Sequence, residues 1–425
     1  MENDSKQKLA VEGGSRAVTQ ELPPMYPGGM KIDSEEEQAV LEVIRAKRLF
    51  RYYGPYPGPS KVSELEELFA AYMGTQHALA VTSGTAALIC GLNGLGIGPG
   101  MEVIVPAYTW IASASAVVAV GAVPVMAEVD ESLTLDPEDV ERKISPYTRA
   151  IIPVHMRGGA CRMDKIMDLA RRHDLLVLED TAQADGASFQ GRKLGGFGDA
   201  GAFSLQFNKI ITSGEGGMMI TNDLDIHHRA VMYHDVIGGA RNHLPEDQIL
   251  PGINFRMPEL LAAVALVQLR RLDGLLEAMR ARKQMLKESL MGLVKSKGIQ
   301  FRTQNDPDGD ASIAMIFFVP ENKQAYPVVK ALNAEGLSSF VMYSPDSVDY
   351  HVYPHWAPIM NQRTWSLEGG PWKNHPRKIE YRVDMCSHTL GLLSRAVHVD
   401  VSPELTNTNV EEMSDALNKV LSNLL

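Results

Sequence analysis

Cysteine is scarce in this chain: Cys90, Cys161 and Cys386 are the only three among 425 residues, widely spaced and in no paired motif. That excludes a disulfide scaffold and a cysteine-built zinc site, and fits a reducing compartment. Positive charge is also short, with 41 Lys and Arg against 52 Asp and Glu and a formal net charge of −11. A chain this acidic lacks the footprint of a nucleic-acid-binding protein, although local basic pockets for anionic ligands stay open to it. There is no repeat and no low-complexity tract. The opening stretch MENDSKQKLAVEGG is polar and has no apolar run of signal-peptide length, so a cytoplasmic protein is expected. One charge-free segment, 103–127, is long enough in principle to span a bilayer. It is broken by Pro106, Gly121 and Pro124 and dotted with Thr109, Ser113 and Ser115. It reads instead as strand 103–106, short helix 111–120 and strand 123–127, buried in a layered domain, with no membrane association.

What is present is an ordinary globular composition, 45% apolar and 22% charged, at a length that suggests two or three domains. A Gly- and Pro-rich arm over 1–32 is expected to wrap along a surface. A large domain over 33–275 and a small one over 276–425 follow. From Ser34 the string EEEQAVLEVIRAKRLF has apolar residues at helical spacing, acids first and bases last, which suits the helix dipole. YYGPYPGP is a loop, and residues 63–72 form a second amphipathic helix. Between Ala78 and Asp223 the runs ALAVT, EVIVP, VPVMAEV, AIIPVH, LLVLED, AGAFSLQ and GMMIT alternate with helical patterns such as 86–95 and 163–172. Alternation of this kind implies a mainly parallel sheet covered on both faces. Residues 258–293 are strongly helical with a weak point at Gly274, bridging to a smaller α+β domain. There AMIFFVP and LSSFVMY read as strands, VVKALNAEG and VEEMSDALNKVLSNL as helices. The aromatic- and His-rich stretch 344–375 resists assignment.

Three segments bear chemistry. TSGTAAL, residues 82–88, joins a strand to a helix start, where exposed N–H groups and the helix dipole suit a phosphate; taken alone, a plain Ser/Thr cap is the simpler reading. LLVLEDTAQADG, residues 175–186, is a buried strand ending in Glu179 and Asp180, where open α/β sheets bind ligands, or else a helix N-cap. FSLQFNKIITSGEGG, residues 203–217, sets Lys209 among Phe207, Ile210 and Ile211, where desolvation would lower an amine toward nucleophilicity, or else Lys209 is a solvated surface lysine.

Taken in order, TSGT, PAYTW, LED-x-A-Q-A and S-x-x-x-x-K-x-x-x-x-G-E-G-G, the chain resembles the DegT/DnrJ/EryC1/StrS sugar aminotransferases. These are pyridoxal 5′-phosphate (PLP) enzymes of fold type I. The resemblance runs from about Gly28 to the C-terminal helix, and the LED-x-A-Q-A and SGEGG motifs carry most of it. The C-terminal half looks most like the subgroup that aminates 8-oxo-3-deoxy-octulosonate.

The resemblance implies an α/β fold, with a large domain around a mainly parallel seven-stranded sheet and a smaller α+β domain. It implies that Lys209 forms the Schiff base with the cofactor and shuttles the proton. Asp180 would pair with the pyridine nitrogen and Gln183 face the 3-oxygen. Trp110 would stack on the ring, unless it is simply a core aromatic. Thr85, Ala86 and Ser204 would hold the phosphate, joined by Asn254 (in GINFRMPELLAA) from a second subunit, unless that Asn only caps a helix. A homodimer with composite sites follows.

In the substrate pocket Arg157, in VHMRGG, stands where the family has Tyr; it either pairs with a carboxylate or phosphate or is a solvated charge. His155 reads as a packed strand residue. Arg51, Tyr52, Tyr53 and the loop around His351, His355 and Trp356 would complete the pocket, the loop's aromatics and His suiting sugar stacking or, equally, a buried core of the loop itself. The activity implied is transfer of an amino group from L-glutamate or L-glutamine to a keto-sugar or keto-cyclitol, with no metal. Two alternatives are weighed against it. A sugar dehydratase of the same fold would replace the lysine by His, and a non-catalytic regulatory paralogue would have no need of Lys209, Asp180 and Ser204 together.

Overall fold

The apolar runs between 77 and 221 form one twisted sheet. Its strands are β1 (His77–Val81), β2 (Glu102–Pro106), β3 (Val123–Ala127), β4 (Thr148–Ile151), β5 (Leu176–Asp180), β6 (Ala200–Ser204) and β7 (Gly217–Thr221). In the computed structural model, which describes residues 7–25, 31–55, 58–344, 347–367 and 369–425, their order is β1-β7-β6-β5-β4-β2-β3. β7 runs antiparallel to both neighbours, and the other adjacent pairs are parallel. Because side chains alternate across a strand, Ala80, Ile104, Val177 and Phe203 enter one apolar core. Leu79, Val103, Leu178 and Ala202 enter a second on the opposite face. Helices cover both, so β2, β6 and β7 are buried at every position. This explains why the runs are continuous rather than alternating.

The helix expected over 258–293 is longer, Glu259–Lys297, and runs unbroken through Gly274. A Cβ at that glycine would meet nothing, so no tight approach is responsible for it. The expected division after residue 275 therefore falls within a continuous helix. Its early turns pack on helices Ser34–Ala46 and Lys61–Met73 and its later ones on Asn407–Leu424.

The small sheet contains β8 (Gln300–Phe301), β9 (Ala314–Phe318), β10 (Ser339–Val341) and β11 (Ala396–Asp400) in the order β8-β9-β11-β10, all antiparallel. β11 is central and buried, yet the sequence reading leaves it unassigned, since His398 and Asp400 interrupt its apolar character.

The described part of the arm lies on this domain. Glu335 accepts from Ala10 N (2.8 Å) and Ala17 N (2.9 Å) and pairs with Lys419 (2.9 Å), while Leu9 and Val18 are buried. The aromatic loop also finds its place. Thr109 N donates to His351 O (2.9 Å), Ile111 N to Tyr350 O (3.0 Å) and Tyr353 N to Ala107 O (3.1 Å), so residues 350–353 run along 107–111. The three cysteines are buried and free. Among the described residues no helix is long and apolar enough to cross a membrane.

Candidate active site

A cavity of about 570 Å³ opens beyond the carboxyl ends of β5 and β6. It brings together Thr85, Trp110, Asp180, Gln183, Ser204 and Lys209, with Arg157 and His351 at its wall.

Asp180 ends β5 with 5% of its surface exposed. Ser113 Oγ donates to its Oδ2 at 2.7 Å and Ala182 N to its Oδ1 at 3.2 Å. Ser113 in turn meets Thr109 Oγ1 at 2.8 Å. Burial raises the carboxyl above its ordinary range, while Ser113, Ala182 and the charge of Lys209 pull it back. The adjacent Glu179 faces the other side of the strand. It accepts from Gly195 N (2.8 Å), Phe197 N (2.6 Å) and Gly198 N (2.7 Å) and pairs with His155 Nε2 at 3.0 Å. Cys161 N donates to His155 Nδ1 at 3.1 Å, so that Nε2 is the protonated nitrogen. Glu179 and His155 thus hold the chain together beneath the site, as the packed reading of His155 expects.

Lys209 follows β6 in a loop, with Ile210 and Ile211 buried beside it, whereas Phe207 is half exposed. Desolvation lowers its amine below the ordinary range, opposed by the charges of Asp180 and Asp185. Asp185 is buried, neither of its carboxylate oxygens has a hydrogen-bond partner, and burial pushes it up to about 8.

Ser83 caps the helix Gly84–Gly94 by accepting from Ala86 N at 3.1 Å. That assigns the Ala86 N–H to the cap, and the residue is 2% exposed. The first-turn N–H groups of Gly84 and Thr85, which precede the helical ladder, are the ones left for an anion. A Cβ on Gly84 would lie 2.7 Å from Ser204 Cβ, so glycine is required for the helix start to approach the strand end this closely.

Trp110 keeps 46% of its surface exposed and is therefore not a core aromatic. Its ring lies 4.9 Å from His351. His351 Nδ1 meets Asp349 Oδ1 at 2.7 Å, and its Nε2 lies 3.4 Å from Gln183 Nε2. Gln183 Oε1 accepts from Arg157 N at 3.2 Å. Arg157 pairs with Asp400 of β11.

Several expected residues lie elsewhere in the chain. Tyr52 sits in a separate pocket with Arg51, His77 and His227, beneath the Arg241 guanidinium at 4.5 Å. Tyr53 is 67% exposed and packs edge-on against Phe50. Trp356 is fully buried, donating to Tyr350 O at 2.7 Å, and His355 Nδ1 accepts from Asp349 N at 3.0 Å. These two form the inside of the loop, since a loop without regular structure needs a small core of its own. Asn254 is on the surface, its Oδ1 accepting from Arg256 N at 3.2 Å. Sequence reasoning missed Ser113, Asp349, Asp185 and Asp400. Only Ser113 left a signal, standing four residues after Thr109 on a short helix beside the cavity.

Residues 30–364 match the model of the DegT/DnrJ/EryC1/StrS aminotransferase family. GDP-perosamine synthase of Caulobacter vibrioides is 42% identical over 261 residues, 61% of this chain and 68% of that protein. L-glutamine:2-deoxy-scyllo-inosose aminotransferase of Streptomyces lividus is 36% identical over 376 residues, 84% of this chain and 83% of its own. The crystal structure of S. venezuelae DesV in complex with a ketimine intermediate superposes with a TM-score of 0.77 at 30% identity, covering 95% of this chain and 99% of that one. With motif order, fold and cavity in agreement, the chain belongs to the DegT/DnrJ/EryC1/StrS aminotransferase family.

Proposed function

We propose that the cavity holds PLP and that the protein, as a cytoplasmic homodimer, moves an amino group from L-glutamine or L-glutamate to a keto-sugar or keto-cyclitol. The observation carrying this reading is the pairing of a desolvated amine, Lys209, with a buried, hydrogen-bonded carboxylate, Asp180, in one cavity. The residues suit the cofactor. The Gly84 and Thr85 N–H groups and the Ser204 hydroxyl offer donors to a phosphate, in a cradle that a side chain at residue 84 would fill. Asp180 offers a carboxylate to a protonated ring nitrogen, and exposed Trp110 offers a face to the ring. When bound, PLP supplies an aldehyde that condenses with amines and a ring that accepts their electrons. Lys209 would hold the cofactor between turnovers and carry the proton at the substrate carbon. Gln183, fixed by Arg157 N, would face the cofactor's 3-oxygen. Asn254 would reach the phosphate of a second copy.

The names of the relatives favour sugar and cyclitol acceptors. The likeness of the C-terminal half to octulosonate aminotransferases adds an acidic 8-oxo-sugar as a second acceptor type, and Arg157 is the observation that favours it.

The test is spectroscopic and then chemical. PLP added to the protein is expected to give a visible band, abolished by borohydride and absent from Lys209→Ala. A screen of keto-sugars and keto-cyclitols with glutamine or glutamate should release the 2-oxo acid. A wild-type protein without the band, or a Lys209→Ala variant with full turnover, overturns the reading.

A further inference from the structure

We propose that Arg157 is the subsite for a substrate carboxylate, and that Asp400 occupies its guanidinium until that carboxylate arrives. The inference rests on the aminotransferase reading and adds the recognition chemistry.

The backbone of Arg157 is left-handed, with φ 52 and ψ 41, a conformation that disfavours a side chain with a Cβ. The surroundings over-determine it. Arg302 Nη1 donates to Met156 O (3.0 Å), Ala311 N to Gly158 O (3.0 Å), and Asn305 Nδ2 to Ala160 O (2.9 Å). These bonds clamp the loop from the small domain, and Arg157 N itself is held by Gln183. A strained residue kept in place by so many bonds, with its side chain in a ligand cavity, is built for position.

Its charge is also placed for a ligand. The guanidinium lies 5.5 Å over the Phe340 ring, pairs with Asp400 through Nη2, and leaves its buried Nε without a partner. Because Nε is enclosed by protein, a substrate carboxylate would meet the guanidinium at its Nη groups, where Asp400 now sits. Behind it, Asp310 is shared by Lys283 (2.8 Å) and Arg302 (3.3 Å). Three cations, Arg157, Arg302 and Lys283, thus face two carboxylates, Asp310 and Asp400. His398, buried and with both nitrogens unpartnered, is held neutral by burial and by the two arginines, so it adds no further cation.

Asp400 keeps 29% of its side chain exposed against 13% for Arg157. It can be released toward water at little cost, whereas a buried arginine left without any anion is costly. Asp400 therefore keeps Arg157 paired when no substrate carboxylate is present. Every amino donor of this reaction carries an α-carboxylate; an acidic acceptor would carry another.

The experiment uses the PLP-loaded protein and two arms, read as dissociation constants and limiting rates from rapid-mixing absorbance. In the donor arm L-glutamine is compared with L-glutaminamide, which lacks the carboxylate. In the acceptor arm 3-deoxy-octulosonate and its methyl ester are compared as ligands by calorimetry. Arg157→Met is expected to weaken the carboxylate-bearing ligand of one arm at least 100-fold in dissociation constant, to leave its amide or ester within threefold, and to change the limiting rate little. The arm affected identifies which substrate the site reads. Arg157→Lys should recover part of the loss, and Asp400→Asn should tighten the same ligand several-fold by removing the internal competitor. A visible cofactor band in Arg157→Met confirms that the variant folds. If that band is present and neither carboxylate ligand weakens, or if acid and amide weaken equally, the inference fails while the functional reading stands. If wild-type protein shows no band, the functional reading fails and takes the inference with it. Weaker binding by Asp400→Asn would show that the ion pair aims Arg157, and would overturn the exchange.

Discussion

Ser113 Oγ donates to Asp180 Oδ2 at 2.7 Å, joining the helix after β2 to the carboxylate at the end of β5. The bond fixes the carboxylate's plane and favours its charged form against the burial that raises it. Ser113→Ala removes a donor to a buried charge, a loss of about 1–3 kcal/mol where the anion goes unsatisfied. The sign of the pH effect follows: Asp180 titrates higher in the variant, so the acid limb of the activity profile moves to higher pH. Turnover at neutral pH should fall roughly tenfold, and Asp180→Asn should lose several orders of magnitude, because an unprotonated ring is a poor electron sink. Initial rates across pH with a working acceptor check both. An acid limb that stays in place in Ser113→Ala would show that the serine does not support Asp180.

Asp185 supplies a stability prediction. A carboxyl raised to about 8 in the folded chain holds its proton where the unfolded chain has lost it. Stability from the neutral form is complete below the ordinary carboxyl range and drains away as pH rises toward 8. Asparagine mimics the neutral form at every pH. Cofactor-free Asp185→Asn should therefore melt higher than wild type at pH 8.5 and close to it at pH 4. Equal melting temperatures at both would mean that Asp185 is solvated or paired in solution.

A third prediction concerns assembly. Asn254 is on the surface and outside its own cavity, so its proposed place on a phosphate requires a second copy. Asn254→Ala should weaken PLP binding without changing the band at saturation. Mixing inactive Lys209→Ala chains with inactive Asn254→Asp chains should restore part of the activity, since a mixed dimer puts both lesions in one site and leaves the other whole. No recovery despite proven subunit exchange would place Asn254 within its own chain's chemistry.

The sheet was legible because most of its strands are buried on both faces and so read as apolar runs, 103–106 and 217–221 among them, while exposed Arg149 interrupts β4. Lys209 and Asp180 stood out through motif order, and the cavity unites them. Other features depend on partners far along the chain. β11 is a strand because two others flank it, which HVD does not announce. Asp400 matters through a residue 243 positions away. Gly274 looks like a break only if the packing on both sides of the long helix is ignored. Tyr52 and Tyr53 share an aromatic sequence with pocket linings, but Arg241 and Phe50 draw them to a different surface.

The seam between residues 350–353 and 107–111 is made of main-chain hydrogen bonds. Such bonds ask nothing of the side chains they align. The residues beside His351 can change while the backbone stays registered on the cavity, so long as the buried Val352, Tyr353 and Trp356 are kept. Different chemistries can then be hung on the same rail: transplanting 349–351 from a relative with another acceptor is a graft that leaves Lys209, Asp180 and Ser204 untouched.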